Sequence, residues 1–229
     1  MYIPLLIYNY GIMSHPIDQI IKDRRTSKAI GDIDHPISIT DSSFIKAVNE
    51  IVTVAGSAPY HKPANAIHLS DALPSPVPWR FYVLDSQGCN QLLTTLKDWG
   101  TEDSFWIRGK IPAMLAAGGA LIQATWLPEP TSTNLPYEPN LQNTEHIAAA
   151  SAAIQNLLLA ATGRGIPTYW SSGGTLRDPK ILAHLGIPAN QHLLGSIFLF
   201  PDTTNAEVFG GKQREKREAG GAWTQWVTL

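Results

Sequence analysis

The sequence predicts an α+β domain, a three-layer α/β arrangement of helices around a sheet. Three observations carry that expectation. Helical and strand-like segments alternate loosely along the chain, the helical ones outweigh the strands, and no repeat or low-complexity block interrupts them. The composition agrees. Of 229 residues, 44% are hydrophobic and 16% charged, which is enough apolar material for one substantial core.

Taken in order, Ile17, Ile20 and Ile21 are helix-spaced and predict a first helix from about Pro16 to Arg25. The stretch "TDSSFIKAVNEIVTVAGSAP" opens on good capping residues, Thr40 to Ser43, and closes near glycine, so it reads as a second helix. The proline-rich "YHKPANAIHLSDALPSPVP" reads as a loop, and "WRFYVLD" as a strand of aromatic and β-branched residues. One or two helices are expected between Cys89 and Ala117, then an apolar strand, "GALIQATWL". After a second proline-rich loop comes the best helix of the chain, "TEHIAAASAAIQNLLLAATGRG", with Thr144 as its cap. "IPTYW" is a short strand, "DPKILAHLG" a short helix, "LLGSIFLF" a buried strand and the closing "WTQWVTL" a further strand. A strand placed beyond a long polar linker either returns to its own sheet or reaches a partner's.

Residues 1–13 read as an extension, because "MSHPIDQIIKDRR" from Met13 looks like a start; residues 14–229 form one domain. The apolar N-terminus lacks a basic region and a cleavage site, and it is too short to span a bilayer. Together with a single cysteine, Cys89, this makes a cytoplasmic protein the expectation. The formal net charge of -2 gives no global field for nucleic acid or an anionic membrane.

No nucleophile elbow, Walker loop, dinucleotide fingerprint or zinc-protease motif is present. His35, His61 and His68 lack metal-ligand spacing, and "SSGGTLRD" reads as a turn. What stands out are two cationic runs. "RRTSK", Arg24 to Lys28, joins guanidinium, hydroxyl and ammonium donors suited to a phosphate or another delocalised anion. Alone, it reads first as a solvated helix end whose cations complement the dipole, and only second as an anion site. "GGKQREKR", with Lys212 and Arg214, lies near the other terminus, and two such runs in a slightly acidic protein invite a shared anion.

The ordered set resembles the nitroreductase family of FMN-dependent oxidoreductases, in particular its compact NAD(P)H nitroreductase branch. The pieces that carry the resemblance are "RRTSK" after the first helix, "AGSAPYHK" from Ala55 to Lys62, "PWRFYVL", the alanine-rich helix, "TYWSSGG" and "ILAHLGIPANQHLLGSIFLF". The resemblance implies a mainly antiparallel central sheet flanked by helices, with an arm, about 203–229, that reaches a homodimer partner. It implies that Arg24, Arg25 and Thr26 hold the FMN phosphate and ribityl oxygens, with Lys28 near the pyrimidine end of the ring. Ser57 and His61 match positions that reach FMN from the partner subunit. Trp170, Ser171 and Ser172 match a segment lining the ring, and Lys212 and Arg214 match cations that complete the phosphate site. Threonine stands at 26 where serine is usual, and lysine at 28 where arginine is usual. The loop from His61 to Pro78 is longer than in the compact branch and lies where substrate access would be controlled, with Asn65 an open candidate for a flavin contact.

The implied activity is ping-pong hydride transfer from NAD(P)H to a nitroaromatic, a quinone or a similar electrophile, with the chemistry carried by flavin rather than by a catalytic side chain. Two other readings stay open: a non-catalytic flavin-binding protein on the same scaffold, and an enzyme that spends reduced flavin on an enone or a halogenated aromatic. Seven tryptophans, two of them Trp223 and Trp226, suit an arm packed on a neighbour.

Overall fold

The computed structural model describes residues 16–100, 105–133, 135–202, 206–216 and 223–228. The expected extension over residues 1–13, and residues 203–205, 217–222 and 229 of the arm, lie outside the described residues. The elements are α1 (Pro16–Asp23), β1 (Ser27–Ile30), α2 (Ser42–Ala55), β2 (Trp79–Asp85), α3 (Ser86–Trp99), α4 (Ile111–Ala116), β3 (Ala120–Trp126), α5 (Leu141–Thr162), β4 (Thr168–Ser171), α6 (Pro179–His184), β5 (His192–Leu199) and β6 (Glu207–Gly210). Short 3-10 turns occupy Ala66–His68, Gly174–Arg177 and Gln213–Lys216.

Four strands form an antiparallel sheet in the order β2-β3-β5-β4. All seven residues of β3 are buried, as a central strand covered on both faces requires. One face packs on α2 and α5 through Val48, Ile51, Ile154, Leu157 and Ile197. The other packs on α3 and α4 through Leu92, Leu96, Leu115, Leu121 and Phe198, with Ile181 of α6 at its margin. The result is three layers, helix–sheet–helix. Gln123 and Ser196 are polar residues at the centre of the sheet, and the Ser196 hydroxyl donates to Gln123 Oε1 at 2.5 Å.

Several boundaries differ from the sequence expectation, each for a local reason. Helix α1 stops at Asp23, because the chain turns to start β1. Helix α5 starts at Leu141, three residues before Thr144. Asn140, an equally good cap, accepts from Asn143 N, while the Thr144 hydroxyl donates back to Asn140 O at 2.9 Å. Helix α3 takes Asp85 as its cap and carries Cys89 fully buried, and desolvation pushes its thiol pKa far up, so the sulfur is an inert packing atom. Residues 223–228 form no strand. Instead β6 pairs antiparallel with β1, and this ribbon meets the sheet edge through one parallel bridge, Thr26 to Thr168. Four-residue strands offer too short a pattern for periodicity to reveal.

The segment between α2 and β2 is ordered by a buried cation. Arg80, 4% exposed, donates to five carbonyl oxygens, those of His68, Leu73, Ser75, Val77 and Trp79, at 2.7 to 3.3 Å. Ala64 N donates to Pro76 O and closes the loop at its base. His68, also buried, donates from Nε2 to Pro128 O at 2.7 Å.

Candidate functional site

The two cationic runs of the sequence meet at the edge of the sheet. Gly211 N donates to Thr26 O, continuing the β1–β6 ribbon, and carries the chain to Arg214. Arg214 donates to the carbonyls of Arg24 at 2.9 Å and Lys22 at 2.8 Å. Arg25 turns its guanidinium to the same two carbonyls. These are carbonyls that the end of α1 leaves without helical partners, and two guanidinium groups there offset the negative end of the helix dipole. Gly211 lies close to Thr26; a Cβ at this glycine would stand 3.0 Å from the threonine Cβ.

Two cavities flank β4, since alternate residues of a strand face opposite sides. Trp170 lines one of about 290 Å³ together with Ile21, Arg24, Thr26, Gln155, Leu158 and Arg214. Its indole rests on Gly195 of β5, where any Cβ would collide with the ring. Tyr169 and Ser171 line the other cleft, of about 380 Å³, with Lys28, Phe105, Arg108, Lys110, Met114, Ser172 and Gly174 among its walls. Lys28 Nζ lies 4.7 Å from the centroid of the Tyr169 ring.

The exit from β4 is held in shape. Ser171 Oγ accepts from Gly173 N at 3.1 Å. Gly173 and Gly174 take φ values of 112° and 52°, which only glycine adopts without strain. Arg177 donates to Ser172 O through Nε at 3.0 Å and to Leu193 O at 2.6 Å, tying the turn to β5. A Cβ on Gly174 would stand 3.5 Å from the Ile111 side chain, an ordinary contact, so glycine serves there through its positive φ rather than through space.

Of the candidates from sequence, Arg24, Thr26, Trp170 and Arg214 line the first cavity, and Lys28, Ser171 and Ser172 the second. Lys212 is exposed nearby on the chain between β6 and the last 3-10 turn. Ser57 and His61 are exposed at the far end of α2, and His61 Nδ1 meets Glu145 at 3.1 Å near the start of α5. Asn65 is committed elsewhere: its carbonyl accepts from Ile67 N and its amide donates to Glu129. Sequence reading missed Arg108, Lys110 and Arg177. Arg108 and Lys110 flank Gly109, and that glycine was the one sign of a turn legible in the sequence; in the structure it takes a positive φ of 83°.

Comparison with known proteins places this geometry. No curated protein matches the chain. A nitroreductase-like family protein from Bacillus cereus superposes with a TM-score of 0.58 at 23% identity, covering 91% of this chain and 97% of that one. A nitroreductase with bound FMN from Bacteroides fragilis gives 0.55 at 18%, covering 94% and 100%. Another with bound FMN, from Desulfitobacterium hafniense, gives 0.51 at 15%, with the same coverage. At these identities the likeness is one of fold. The family model for the nitroreductase family matches residues 47–199, two thirds of the chain, from α2 to the end of β5. By that match this chain belongs to the nitroreductase family.

Proposed function

We propose that the chain is an FMN-dependent oxidoreductase, a homodimer that moves a hydride from NAD(P)H to a nitroaromatic, a quinone or a similar electrophile in ping-pong fashion. The observation that carries this reading is the convergence of Arg24 and Thr26 with Arg214, from opposite ends of the chain, on one cavity beside Trp170. The donor set fits the cofactor: two guanidinium forks and a hydroxyl suit a dianionic phosphate, while an ammonium and an open glycine turn suit a flat ring. FMN, when bound, would supply the two-electron redox chemistry of a hydride transfer between nicotinamide and acceptor.

The protein's own groups bind, orient and polarise. Arg24, Arg214 and Thr26 would hold the phosphate, with Arg25 and Lys212 adding positive potential at that end. Lys28 lines the cleft, where its charge in a half-buried site would stabilise the negative charge that reduction brings to a bound ring. Ser171 and Ser172 would line the ring, with Trp170 on the phosphate side of β4, and the bonds from Arg177 keep that wall rigid. Ser57 and His61, beyond the end of α2, line neither of these cavities and are assigned to the partner's cofactor. Trp223 and Trp226, 68% and 93% exposed in the single chain, are apolar surface that a dimer would cover. No helix among the described residues is long and apolar enough to cross a membrane.

The test is an absorbance spectrum of the purified protein before and after each nicotinamide. A flavin band that bleaches with NADH or NADPH and recovers on adding a quinone supports the reading; a colourless protein that takes up no FMN overturns it. Lys28→Ala should slow reduction about tenfold or more, read by stopped-flow absorbance.

A further inference from the structure

The segment from His61 to Val77 is anchored in the interior by a histidine. Over that stretch only Ala64 and His68 are buried, with Asn65 and Val77 half-buried, and the apolar side chains of Ile67, Leu69 and Leu73 are exposed. A second buried ring, His146 of α5, acts on His68; the two are 1% and 6% exposed. His68 Nε2 donates to Pro128 O and His146 Nδ1 donates to Leu127 O, each at 2.7 Å, so the rings hold consecutive carbonyls just beyond β3. A carbonyl only accepts, which puts the hydrogen of each neutral ring on the bonded nitrogen and leaves His68 Nδ1 and His146 Nε2 as bare acceptors. Neither has a hydrogen-bond partner among the described residues, although both are buried. We propose that this pair is a proton-operated latch: neutral rings keep the 61–77 segment closed, and a proton on His68 releases it.

The surroundings of the pair disfavour that proton. It would turn the bare nitrogen into a second buried N–H and place a charge out of reach of bulk water. The charged and titratable groups that act on His68 are Arg80 of β2, Glu129 beyond β3 and His146 of α5. Arg80 and a protonated His146 oppose a cation on the ring, and Glu129 favours one. Glu129 is engaged by Asn65, whose amide donates to Oε2 at 3.3 Å, and Glu145, next to His146, is turned to His61. Burial is the largest influence; with the Arg80 charge it holds His68 below its ordinary pKa, against the bond to Pro128 O and the Glu129 charge. An opened segment returns the ring to water, where the ordinary value of about 6.5 applies. The closed form therefore binds the proton less well than the open one. The latch is at full strength above about pH 6.5 and weakens as the pH falls below that value toward the closed-form pKa. Opening is local because the segment buries so few side chains, whereas β3 and α5 carry the core. The inference goes beyond the flavin reading and does not depend on it.

The experiment pairs amide exchange with a titration of the histidine rings by NMR, on the protein as purified. The amides to watch are those of Ile67, His68, Leu69 and Leu73, each bonded within the segment. Their protection, corrected for the intrinsic pH dependence of exchange, should fall about fivefold or more between pH 7 and pH 5 while that of β3 stays level. The variant His68→Gln keeps an N–H for Pro128 O and takes up no proton, so its protection should be flat over the same range. An equal fall in the variant and in wild type overturns the proposal, as does a fall in β3 as large as that in the segment, which would mark unfolding of the whole domain. Should the variant fail to fold, the wild-type titration decides alone. A His68 ring that titrates below its ordinary value, in step with the loss of protection, supports the latch. A ring that is fully protonated while these amides keep their protection overturns it.

Discussion

Arg80 shows how one buried side chain organises a segment that the sequence presents as open loop. Its five carbonyl acceptors are spread from His68 to Trp79, so the guanidinium replaces backbone partners that a loop inside a folded domain otherwise lacks. Arg80→Ala should destabilise the protein by about 3 kcal/mol, since bonds to a charged donor are lost and buried carbonyls are left unpaired. Urea unfolding measures the loss, and limited proteolysis should cut the variant between Ala64 and Pro76 first. Beside it, His68 is held below its ordinary pKa by burial, opposed in part by its bond to Pro128 O and reinforced by the Arg80 charge. Its folded pKa is therefore lower than its unfolded one. Its contribution to stability is complete above about pH 6.5 and falls as the pH drops through that value toward the folded pKa. Protection factors for hydrogen exchange across residues 64–78, corrected for the intrinsic pH dependence of exchange, should fall between pH 7 and pH 5, and unchanged protection would count against this role. At Gly195 an added methyl has nowhere to go. Gly195→Ala should displace Trp170, lower stability by about 1–3 kcal/mol and shift tryptophan fluorescence.

At the scale of elements, the β1–β6 ribbon is what brings the site together. It is short, joined to the main sheet by a single bridge, and braced by Arg214 on the end of α1. An element so lightly attached depends on whatever else binds across it. FMN should protect its amides from exchange, and Arg214→Gln should weaken FMN binding about tenfold while lowering the protein's Tm, both measurable by fluorescence titration and melting. The long helices were legible in the sequence because their cores are written in repeated apolar spacing. The run from Leu141 to Thr162 needed only its cap corrected, since Asn140 and Thr144 compete for the same role. The ribbon was not legible. "SKAI" and "EVFG" carry four residues each, and their pairing joins positions about 180 residues apart, which no local pattern records.

For the whole molecule, the exposed apolar surface of residues 223–228 sets the expectation for assembly. If the proposed dimer forms, removing residues 217–229 should shift the protein from dimer to monomer in light scattering at micromolar concentration and lower FMN affinity, as the proposed roles of Ser57 and His61 across the interface require. A chain of residues 1–229 that is monomeric with FMN bound would refute the dimer.

The sequence by itself determined the helix–sheet–helix layering, the central buried strands and the presence of two cation-rich runs, because apolar periodicity and side-chain chemistry are local properties of the chain. Only the tertiary structure decided which cations share a cavity. Arg24 and Arg214 converge, Arg25 turns back onto α1, and Arg108 and Lys110 enter a cleft that no spacing announced. The reason is that a binding site is a set of distances between residues remote in sequence, and those distances are set by strand pairing and by glycines such as Gly195 and Gly211, where backbone and side chain approach without a Cβ between them.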